Sequence, residues 1–325
     1  LLCGSRHVLV KLRHKNHCKD CDLSITFPEF RGWAVDNRPG GYVKRRGGRE
    51  FSRHENLRNG VLKKTLTTAS LVALLAAGPL LAQDGDVQTK QYDTGGVYTG
   101  EFKDGIIDGQ GYLIAADGMK YRGDFRLGRY HGKGVLLYPD GREYKGEFHN
   151  NLIDGEGRLV YADGSWYEGM FSNGRPEGEG TRSYPDGSLY RGELRNDARN
   201  GFGTLELTSG DTYEGEFKDN LYSGSGTLTY EAGGYYSGDF KNGLFHGSGE
   251  MHYANGSVYV GEYVGGLAEG PGNMTFQDGS VYDGQFIAGL MHGKGRYEFA
   301  DGSVYTGEFV DGQLHGRGKM VYGDG

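Results

Sequence analysis

At 325 residues the chain could hold two ordinary domains or one extended repeat array. It combines 61 glycines with 13% aromatic residues, and this composition favours an ordered chain with a thin core over a disordered one. The formal charge of −7 averages two unlike parts, because residues 1–60 carry 13 Lys and Arg against 6 Asp and Glu, whereas residues 83–325 carry 21 against 37, a net −16. The acidic part argues against a nucleic-acid partner, since Lys and Arg supply most of the affinity for phosphates.

Residues 1–60 contain all three cysteines of the chain and no methionine. The first methionine is Met119, so we hypothesise that Val61, read from an alternative start codon, is the true first residue. Residues 1–60 would then be a non-native or disordered upstream segment. The ligand types of a zinc site occur in a run H-x-x-H-C-x-x-C, at His14, His17, Cys18 and Cys21. No second, distant ligand pair closes a loop around them, so accidental sequence is the favoured interpretation and we predict no metal and no cofactor.

Residues 61–82 have the layout of a secretory signal peptide. Lys63 and Lys64 form a positive start, an apolar run interrupted by Pro79 follows, and the run ends in Leu-Leu-Ala at residue 82. The run is short for a transmembrane helix. A buried helix of a globular domain is the alternative, but an acidic repetitive segment follows at once. We therefore expect export to the periplasm, the cell surface or the medium.

Residues 83–97 are predicted to be a linker or the N-terminal cap of the repeat array that occupies residues 98–325. From residue 98 the chain aligns with itself at a step of 23 residues, ten times and without an insertion. We number the repeats 1 to 10 by their first residues, Tyr98, Tyr121, Tyr144, Tyr167, Tyr190, Tyr213, Tyr236, Tyr259, Tyr282 and Tyr305. Self-similarity at this period indicates a repeat protein.

Each repeat has the same fixed residues after its tyrosine. A glycine follows two residues later, a large apolar residue four residues later, a G-x-G in the middle, and a closing glycine at the end. In repeats 1 and 3 these residues are Tyr98, Gly100, Phe102, Gly109, Gly111, Gly118, Tyr144, Gly146, Phe148, Gly155, Gly157 and Gly164. Because the G-x-G occurs ten times, with a strand pattern and no helix after it, it is not a phosphate-binding loop.

The pattern of each repeat predicts a β-hairpin. Tyr98 and Phe102 are an even number of residues apart and so lie on one face of a strand, with polar residues on the other face. Gly100 between them leaves a gap in which a neighbouring ring can lie close to the backbone. Seven residues after each tyrosine stands Gly, Asn or Asp, which predicts one left-handed turn residue.

The second strand is predicted to start near the G-x-G and to end in an aromatic residue such as Tyr138. The stretch Tyr138-Pro139-Asp140-Gly141 then has the preferences of a type I turn. Together these elements predict an all-β fold, an elongated single-layer antiparallel sheet of about ten consecutive hairpins. The next tyrosine would fall at position 328, so we expect that the array continues beyond residue 325.

Residues 144–164 (YKGEFHNNLIDGEGRLVYADG) and 305–325 (YTGEFVDGQLHGRGKMVYGDG) resemble the MORN repeat, the membrane occupation and recognition nexus motif. The resemblance covers residues 98–325 and implies a twisted sheet of successive hairpins. In junctophilins, plant phosphatidylinositol phosphate kinases and a histone-lysine methyltransferase such repeats are linked to phospholipid contact, dimerisation and scaffolding. Many bacterial members have no catalytic domain. Repeat 5 departs from the pattern at Leu194, Asp197 and Leu207, so we expect weaker packing and a bend within residues 194–210.

Candidate catalytic groups are few, and we predict that the protein is not an enzyme. Four histidines share one place in the repeat, His131, His246, His292 and His315. Asp, Glu, Asn or Ser fills that place in the other repeats, which indicates a polar turn residue rather than a proton-transfer group. No Ser stands in a G-x-S-x-G elbow. A single-layer sheet also offers few pockets in which groups from several segments converge.

A column of carboxylates follows the first glycine of eight repeats, at Glu101, Asp124, Glu147, Glu193, Glu216, Asp239, Glu262 and Glu308. Carboxylate oxygens are calcium ligands. Equivalent positions in neighbouring repeats should lie roughly 10 Å apart, too far to share one ion. A solvated face that protects the sheet from aggregation is the favoured interpretation.

Basic residues concentrate in repeats 2 and 3, at Lys120, Arg122, Arg126, Arg129, Lys133, Arg142 and Lys145. Each Lys or Arg near an anionic membrane contributes about 1 kcal/mol, so phospholipid head groups or an anionic glycan would bind here. The sequence favours a non-catalytic scaffold of a bacterial cell envelope that binds an unknown protein or itself. The alternative is a peripheral phospholipid-binding module that uses this basic patch.

Overall fold

The computed structural model describes residues 87–323, and this part of the chain is built of β-strands and tight turns. The predicted upstream segment 1–60 with its Cys and His cluster, the predicted signal peptide 61–82 and residues 83–86 lie outside the described residues. The strands are β1 (Gln88–Gln91), β2 (Val97–Lys103), β3 (Ile106–Ile114), β4 (Lys120–Arg126), β5 (Arg129–Leu137), β6 (Glu143–His149), β7 (Leu152–Val160), β8 (Trp166–Ser172), β9 (Arg175–Ser183), β10 (Leu189–Arg195), β11 (Ala198–Glu206), β12 (Thr212–Lys218), β13 (Leu221–Thr229), β14 (Gly234–Lys241), β15 (Leu244–Tyr253), β16 (Val258–Val264), β17 (Leu267–Thr275), β18 (Val281–Ile287), β19 (Leu290–Glu298), β20 (Val304–Val310) and β21 (Gln313–Val321).

Every strand pairs antiparallel with the strand before it and the strand after it in the sequence. The result is one open, single-layer sheet of 21 strands, and the all-β prediction of consecutive hairpins is confirmed. At roughly 4.8 Å between strands, the sheet extends about 100 Å across its strands. Within the predicted cap, β1 pairs with β2 and begins the sheet.

The turn inside each hairpin contains two left-handed residues, one more than the sequence predicts. In repeat 3 these are Asn150 (φ 49°) and Asn151 (φ 71°), and in repeat 1 they are Asp104 and Gly105. Two successive positive φ values define a type I′ turn, whose twist matches that of the flanking strands. The prediction missed the first position because it carries Leu127 and Ala288 in two repeats, residue types that rarely adopt positive φ.

The turn between hairpins follows the prediction. In repeat 2 the Gly141 N–H donates to the Tyr138 carbonyl oxygen at 3.1 Å, and Gly141 has a φ of 92°. This is a type I turn followed by a left-handed glycine, a common three-residue hairpin loop. The same bond recurs between hairpins along the array.

The second strand starts near the G-x-G, as predicted, but the motif is not the turn into that strand. In repeat 2, β5 starts at Arg129, three residues before the G-x-G of Gly132 and Gly134, so the motif lies inside the strand. Gly132 has a φ of 57°, and the pairing with β4 shifts between Gly123 and Phe125. The first glycine therefore forms a β-bulge, for which a left-handed residue is typical. In a sequence, glycine is so strongly associated with turns that a glycine in a β-bulge is hard to distinguish from a glycine in a turn.

The core is a row of aromatic rings on one face of the sheet, which we call the aromatic ladder. The Tyr98 ring meets Phe102 of its own repeat edge-to-face at 5.2 Å and Phe125 of the next repeat at 5.1 Å. The first tyrosines of all ten repeats are buried. Edge-to-face contacts of this kind contribute about 0.5–1.5 kcal/mol beyond area burial. Since the first tyrosine of eight repeats also meets a ring of the next hairpin, the ladder holds neighbouring repeats together.

Repeat 5 interrupts the aromatic ladder without interrupting the sheet. Leu194 takes the place of the second ring and is 1% exposed. Strands β10 and β11 keep the lengths and the bulge position of the other hairpins. The predicted bend within residues 194–210 stays a prediction.

Candidate functional site

Strand alternation gives the sheet two different surfaces. The tyrosine face carries the aromatic ladder and the apolar residues of the second strands, such as Leu136 and Leu159. The opposite face, which we call the charged face, carries the residues between them, among them Arg122 and Asp124 of β4. These two faces are the broad surfaces of the described residues.

The hydroxyl of each repeat's first tyrosine is used within its own hairpin. It donates to the backbone carbonyl three residues later at 2.8–3.3 Å in all ten repeats. Burial raises the pKa of Tyr98, Tyr167 and Tyr282 to about 12. These tyrosines are therefore structural donors, and their hydroxyls are not available to a ligand.

Two positions in each repeat require glycine because the ring of that tyrosine lies against them. A Cβ added at Gly111 would lie 2.4 Å from Cε2 of Tyr98, and one at Gly100 would lie 2.3 Å from the Tyr98 hydroxyl. The glycines pair with one another across the sheet, Gly100 with Gly111 and Gly111 with Gly123. The sequence predicted that a neighbouring ring would lie against the first glycine of each repeat. The ring belongs to the same repeat because the tyrosine reaches along its own strand.

The column of carboxylates after the first glycine has a structural role that the sequence did not reveal. Glu101 Oε2 accepts the Gln110 N–H at 3.1 Å, and Asp124 Oδ2 accepts the Lys133 N–H at 2.9 Å. Each of these amides belongs to a bulge, where the pairing of the two strands of the hairpin shifts register. The signal was available in the sequence, because a carboxylate stands at a fixed distance from most of the G-x-G motifs. Residues 87–323 contain no group of three His, Cys, Asp or Glu side chains placed to hold a metal ion.

The place shared by the four histidines lies in the second strand and not in a turn, so that part of the prediction is wrong. Asp108 Oδ2 accepts the Leu127 N–H at 3.1 Å, and Glu177 Oε2 accepts the Asn196 N–H at 2.9 Å. Each acceptor thus binds the type I′ turn of the next repeat. Asp154, Asn200 and Glu269 accept the equivalent turn amide in their repeats. The four histidines of the column do not share this role among the bonds of the described residues, and Nδ1 of His131 is buried without a hydrogen-bond partner there.

The structure brings six of the seven predicted patch residues onto the charged face. Their strand positions put Lys120, Arg122 and Arg126 on β4, Arg129 and Lys133 on β5, and Lys145 on β6. Arg126 and Arg129 are direct partners across one hairpin.

Arg142, the seventh residue of the predicted patch, does not join it. It lies two residues before Tyr144 and so on the tyrosine face, with its guanidinium carbon 4.3 Å from the centre of the Tyr138 ring. Its Nε donates to Asp140 Oδ2 at 2.8 Å. Proximity in sequence suggested one patch, but the alternation of strand faces separates Arg142 from the others.

The charged face changes in character toward the later repeats. Between residues 200 and 293 the only Lys and Arg are Lys218 and Lys241, against 12 Asp and Glu. Exposed apolar side chains lie among these carboxylates, including Val264, which is 57% exposed, and Ile287. They pair across their hairpins with Leu267 and Leu290. This surface is acidic and apolar where the surface of repeats 2 and 3 is basic.

A shallow, open hollow of about 490 Å³ lies on the charged face between repeats 4 and 5. Its lining includes Glu179, Thr181, Arg191 and Phe202, whose ring is 60% exposed. Arg191 pairs with Glu206 of the neighbouring strand. The hollow is open to solvent, so it offers a contact surface rather than a closed reaction chamber. In the part of the chain that is described, no helix is both long and apolar enough to span a bilayer.

Among solved structures, the TCP10 domain of Danio rerio CPAP in complex with a peptide of Danio rerio STIL is 12% identical to this chain, with a TM-score of 0.34, and the match covers 68% of this chain and 93% of that one. The TCP domain of SAS-4 (dCPAP) of Drosophila melanogaster, in complex with a proline-rich motif of Ana2, is 14% identical at a TM-score of 0.24, covering 54% and 83%. Virginiamycin B lyase from Staphylococcus aureus is 12% identical at a TM-score of 0.13, covering 70% and 72%. Likenesses this remote carry no conclusion about function.

No curated protein matches the sequence. The family model of the MORN repeat does, in ten consecutive segments, at residues 98–120, 121–141, 144–166, 167–189, 190–212, 213–235, 236–258, 259–281, 282–304 and 305–325. These segments coincide with the ten hairpins and with the period of the aromatic ladder. The chain therefore belongs to the MORN repeat family, as an uninterrupted array of ten repeats over residues 98–325.

Proposed function

We propose that this MORN array is a non-catalytic scaffold of a bacterial cell envelope that binds another protein or a second copy of itself. The carrying observation is how the fixed residues of the repeat are used. The tyrosines, the paired glycines and the column of carboxylates satisfy hydrogen bonds or packing inside the sheet. Only the variable positions remain for recognition.

The variable positions supply two surfaces of different chemistry. The charged face is basic around Arg126 and Arg129, and acidic with exposed apolar side chains around Val264 and Ile287. Apolar side chains surrounded by charges are typical of protein interfaces, where a desolvated centre is enclosed by a polar rim. A rigid sheet presents these side chains without a loss of backbone entropy on binding.

Export is proposed from the sequence of residues 61–82, with its two lysines, apolar run and small-residue end. Periplasm, cell surface and medium are all compatible with such a segment. Detection of a mature chain that begins after Ala82, by N-terminal mass spectrometry of the native protein, would support export. Recovery of peptides from residues 6–58 would contradict both cleavage and the hypothesis of a start at Val61.

The scaffold proposal is tested by affinity capture from a periplasmic extract, with the protein as bait and mass spectrometry as readout. A Val264→Thr/Ile287→Thr variant reduces the exposed apolar surface and keeps β-branched side chains in both strands. A Lys103→Thr/His149→Thr variant changes the same edge in repeats 1 and 3 and serves as the control. We expect either one enriched partner protein or a dimer of this protein. Either should be lost in the Val264→Thr/Ile287→Thr variant and kept in the control variant. A monomer that enriches nothing above an unrelated bait would refute the proposal.

A second candidate function, binding to phospholipid head groups, is favoured by the six cations that share the charged face in repeats 2 and 3. Vesicles with 20% phosphatidylglycerol should then sediment the protein at low salt and release it at 0.5 M NaCl. An Arg126→Gln/Arg129→Gln variant should bind several-fold more weakly, whereas Arg142→Gln, on the other face, should bind as the parent does. Absence of sedimentation at low salt would exclude this function.

A further inference from the structure

Two arginines occupy places on the tyrosine face that belong to the core in the other repeats. Arg182 stands at the place of Leu136, Leu159 and Leu205, and Arg199 stands at the place of Ile153 and Phe245. In each column the other nine repeats have apolar or aromatic residues. Repeats 4 and 5 thus break the pattern twice, on neighbouring hairpins.

Both guanidinium groups pack against aromatic rings. The Arg182 guanidinium lies 4.9 Å from the centre of the Tyr161 ring and 5.5 Å from Tyr184. The Arg199 guanidinium lies 5.4 Å from Tyr184 and 5.5 Å from Phe217. The Tyr184 ring therefore lies next to both arginines, and the five side chains form one cluster that we call the arginine–tyrosine cluster.

Among the described residues, only one of the two guanidinium groups of the arginine–tyrosine cluster is in an ion pair. Asp197 forms an ion pair with Arg182, which also donates to the Tyr161 hydroxyl at 3.2 Å. Arg199 donates to the backbone carbonyl of Asn220 at 2.9 Å, and no carboxylate of residues 87–323 forms an ion pair with it. The nearby carboxylate of Asp186 accepts bonds from the amide and hydroxyl of Ser188. Asp186 therefore acts on Arg199 only through its charge, and it forms no ion pair with it.

This arrangement is costly for the fold. The Arg182 side chain is only 14% exposed, and the Nε atoms of Arg182 and Arg199 are buried without a hydrogen-bond partner among the described residues. Burial of a charge or an unpaired N–H group destabilises a protein relative to an apolar side chain of similar volume. Local departures from a pattern that stabilises the fold are expected at functional sites.

We propose that the arginine–tyrosine cluster binds a carboxylate side chain in an acidic peptide segment of a partner protein. The paired N–H donors of a guanidinium match the two oxygens of a carboxylate in geometry, and the guanidinium of Arg199 has no carboxylate partner among the described residues. The guanidinium of Arg199, which is in no ion pair, fits a single carboxylate, while the carboxylates of Asp197 and Asp186 disfavour a phosphate dianion. Tyr161 and Tyr184 are partly exposed and supply contact area for the residue beside the carboxylate, as Tyr and Arg do in binding hot spots.

This inference rests on the proposed scaffold function and places one of its contacts on the tyrosine face. The probes are two capped, fluorescein-labelled octapeptides, in one of which Glu alternates with Leu and in the other Gln replaces every Glu. We expect the Glu peptide to bind the parent at least tenfold more tightly than the Gln peptide, in fluorescence anisotropy at 50 mM salt. Inorganic phosphate at 10 mM should not displace it.

The decisive variant is Arg182→Leu/Arg199→Leu, which restores the apolar residues of the other repeats. It should melt at the same or a higher temperature than the parent, and it should lose the preference for the Glu peptide. An Arg126→Leu/Arg129→Leu variant removes the same charge from the charged face and should keep that preference. If the double variant does not fold, Arg199→Gln alone should reduce the preference at least threefold.

Equal binding of the two peptides to the parent, or a preference that survives in Arg182→Leu/Arg199→Leu, would overturn the cluster as a carboxylate site. Displacement by phosphate would reassign it to phosphorylated ligands and equally overturn the proposal. These outcomes leave the scaffold function intact if the periplasmic partner is still captured through the charged face. Conversely, a preference for the Glu peptide without any captured partner would sustain the cluster and contradict the scaffold function.

Discussion

At the scale of the residue, the first tyrosine of each repeat has several structural roles. Its ring covers two glycines of its own hairpin and its hydroxyl donates to a backbone carbonyl. The ring also meets two aromatic rings edge-to-face in seven repeats, and one in the repeats that begin with Tyr167, Tyr190 and Tyr305. The glycines make room for the ring, and the carbonyl accepts the hydroxyl, only because the tyrosine side chain extends along its own strand. This interdependence explains why the pattern Y-x-G recurs unchanged in all ten repeats.

Replacing one such hydroxyl should have a measurable cost. In Tyr213→Phe the ring and its contacts with Phe217 and Phe240 stay, but the bond from the hydroxyl to the Glu216 carbonyl is lost. We expect the free energy of unfolding to fall by about 1 kcal/mol, the usual net value of a buried hydrogen bond. Tyr322→Phe is the control, because Tyr322 is 61% exposed, and urea unfolding is the measurement. Equal effects of the two substitutions would show that the buried hydroxyl contributes nothing.

At the scale of the element, the hairpin is defined by its type I′ turn. The first turn position has a φ near 50° in most repeats and carries Asn in four of them, at Asn150, Asn173, Asn196 and Asn242. Leu127 occupies the same place with a φ of 49° and is 68% exposed. Repeat 2 therefore keeps a strained residue in a turn that other repeats build without strain.

Leu127→Asn should stabilise the protein. The left-handed conformation costs most L-residues about 1–2 kcal/mol and Asn less, so we expect a gain of about 0.5–1 kcal/mol. The bond from the amide of residue 127 to Asp108 is a backbone bond and is preserved. Asn150→Leu is the reverse change in the next repeat and should destabilise by a similar amount in urea unfolding. A loss of stability in Leu127→Asn would mean that the leucine side chain makes a contact worth more than the strain.

The turns between hairpins predict a dependence on acid. Hydrogen bonds from Ser165 and Ser280 lower the pKa of Asp163 and Asp278, and the same arrangement lowers the pKa of Asp186 and Asp301. A carboxyl with a lower pKa in the folded state stabilises the fold above its unfolded value, about 3.9, and this stabilisation is lost as the pH falls through the folded value. We therefore expect the melting temperature to fall steadily below about pH 4.

The contribution of these turns can be isolated by changing the four aspartates to Asn. Asn255 already occupies the same place in repeat 7, where its Oδ1 accepts the Ser257 N–H at 2.9 Å. The variant should thus stay folded, and its melting temperature should depend less on pH between 2 and 5. An unchanged pH profile would assign the acid dependence to other carboxylates.

At the scale of the whole molecule, the main contacts within residues 87–323 join consecutive strands, and ring contacts and turn bonds join each repeat to the next. Stability should then be a sum of repeats and of the interfaces between them. Each repeat joins the next through the aromatic ladder, through the strand pairing and through bonds such as that from the Gly128 N–H to the Ile107 carbonyl oxygen at 2.8 Å.

Deletion of residues 236–258, one full repeat, should leave a folded array of nine repeats. The tyrosine of the next repeat then follows in register, so the circular dichroism per residue should stay the same and the unfolding free energy should fall only modestly. Deletion of residues 236–246 breaks the register and should expose repeats 6 and 8 to amide hydrogen exchange. If both deletions gave the same exchange pattern, the repeats would not be independent units.

The sequence alone determined the period, the two faces of each strand and the family, because these follow from local spacing and from the backbone preferences of Gly, Asn and Tyr. It also placed Tyr98, Gly100 and Phe102 on one face correctly. Only the tertiary structure showed that carboxylates such as Glu101 and Asp124 accept amides of the bulges, that acceptors such as Asp108 and Glu177 bind the next turn, and that Arg142 lies apart from the basic patch. It also brought Arg182 and Arg199 together around Tyr184. The physical reason is that these contacts join residues on different strands, up to 21 positions apart, and depend on a register that the bulge in each hairpin shifts.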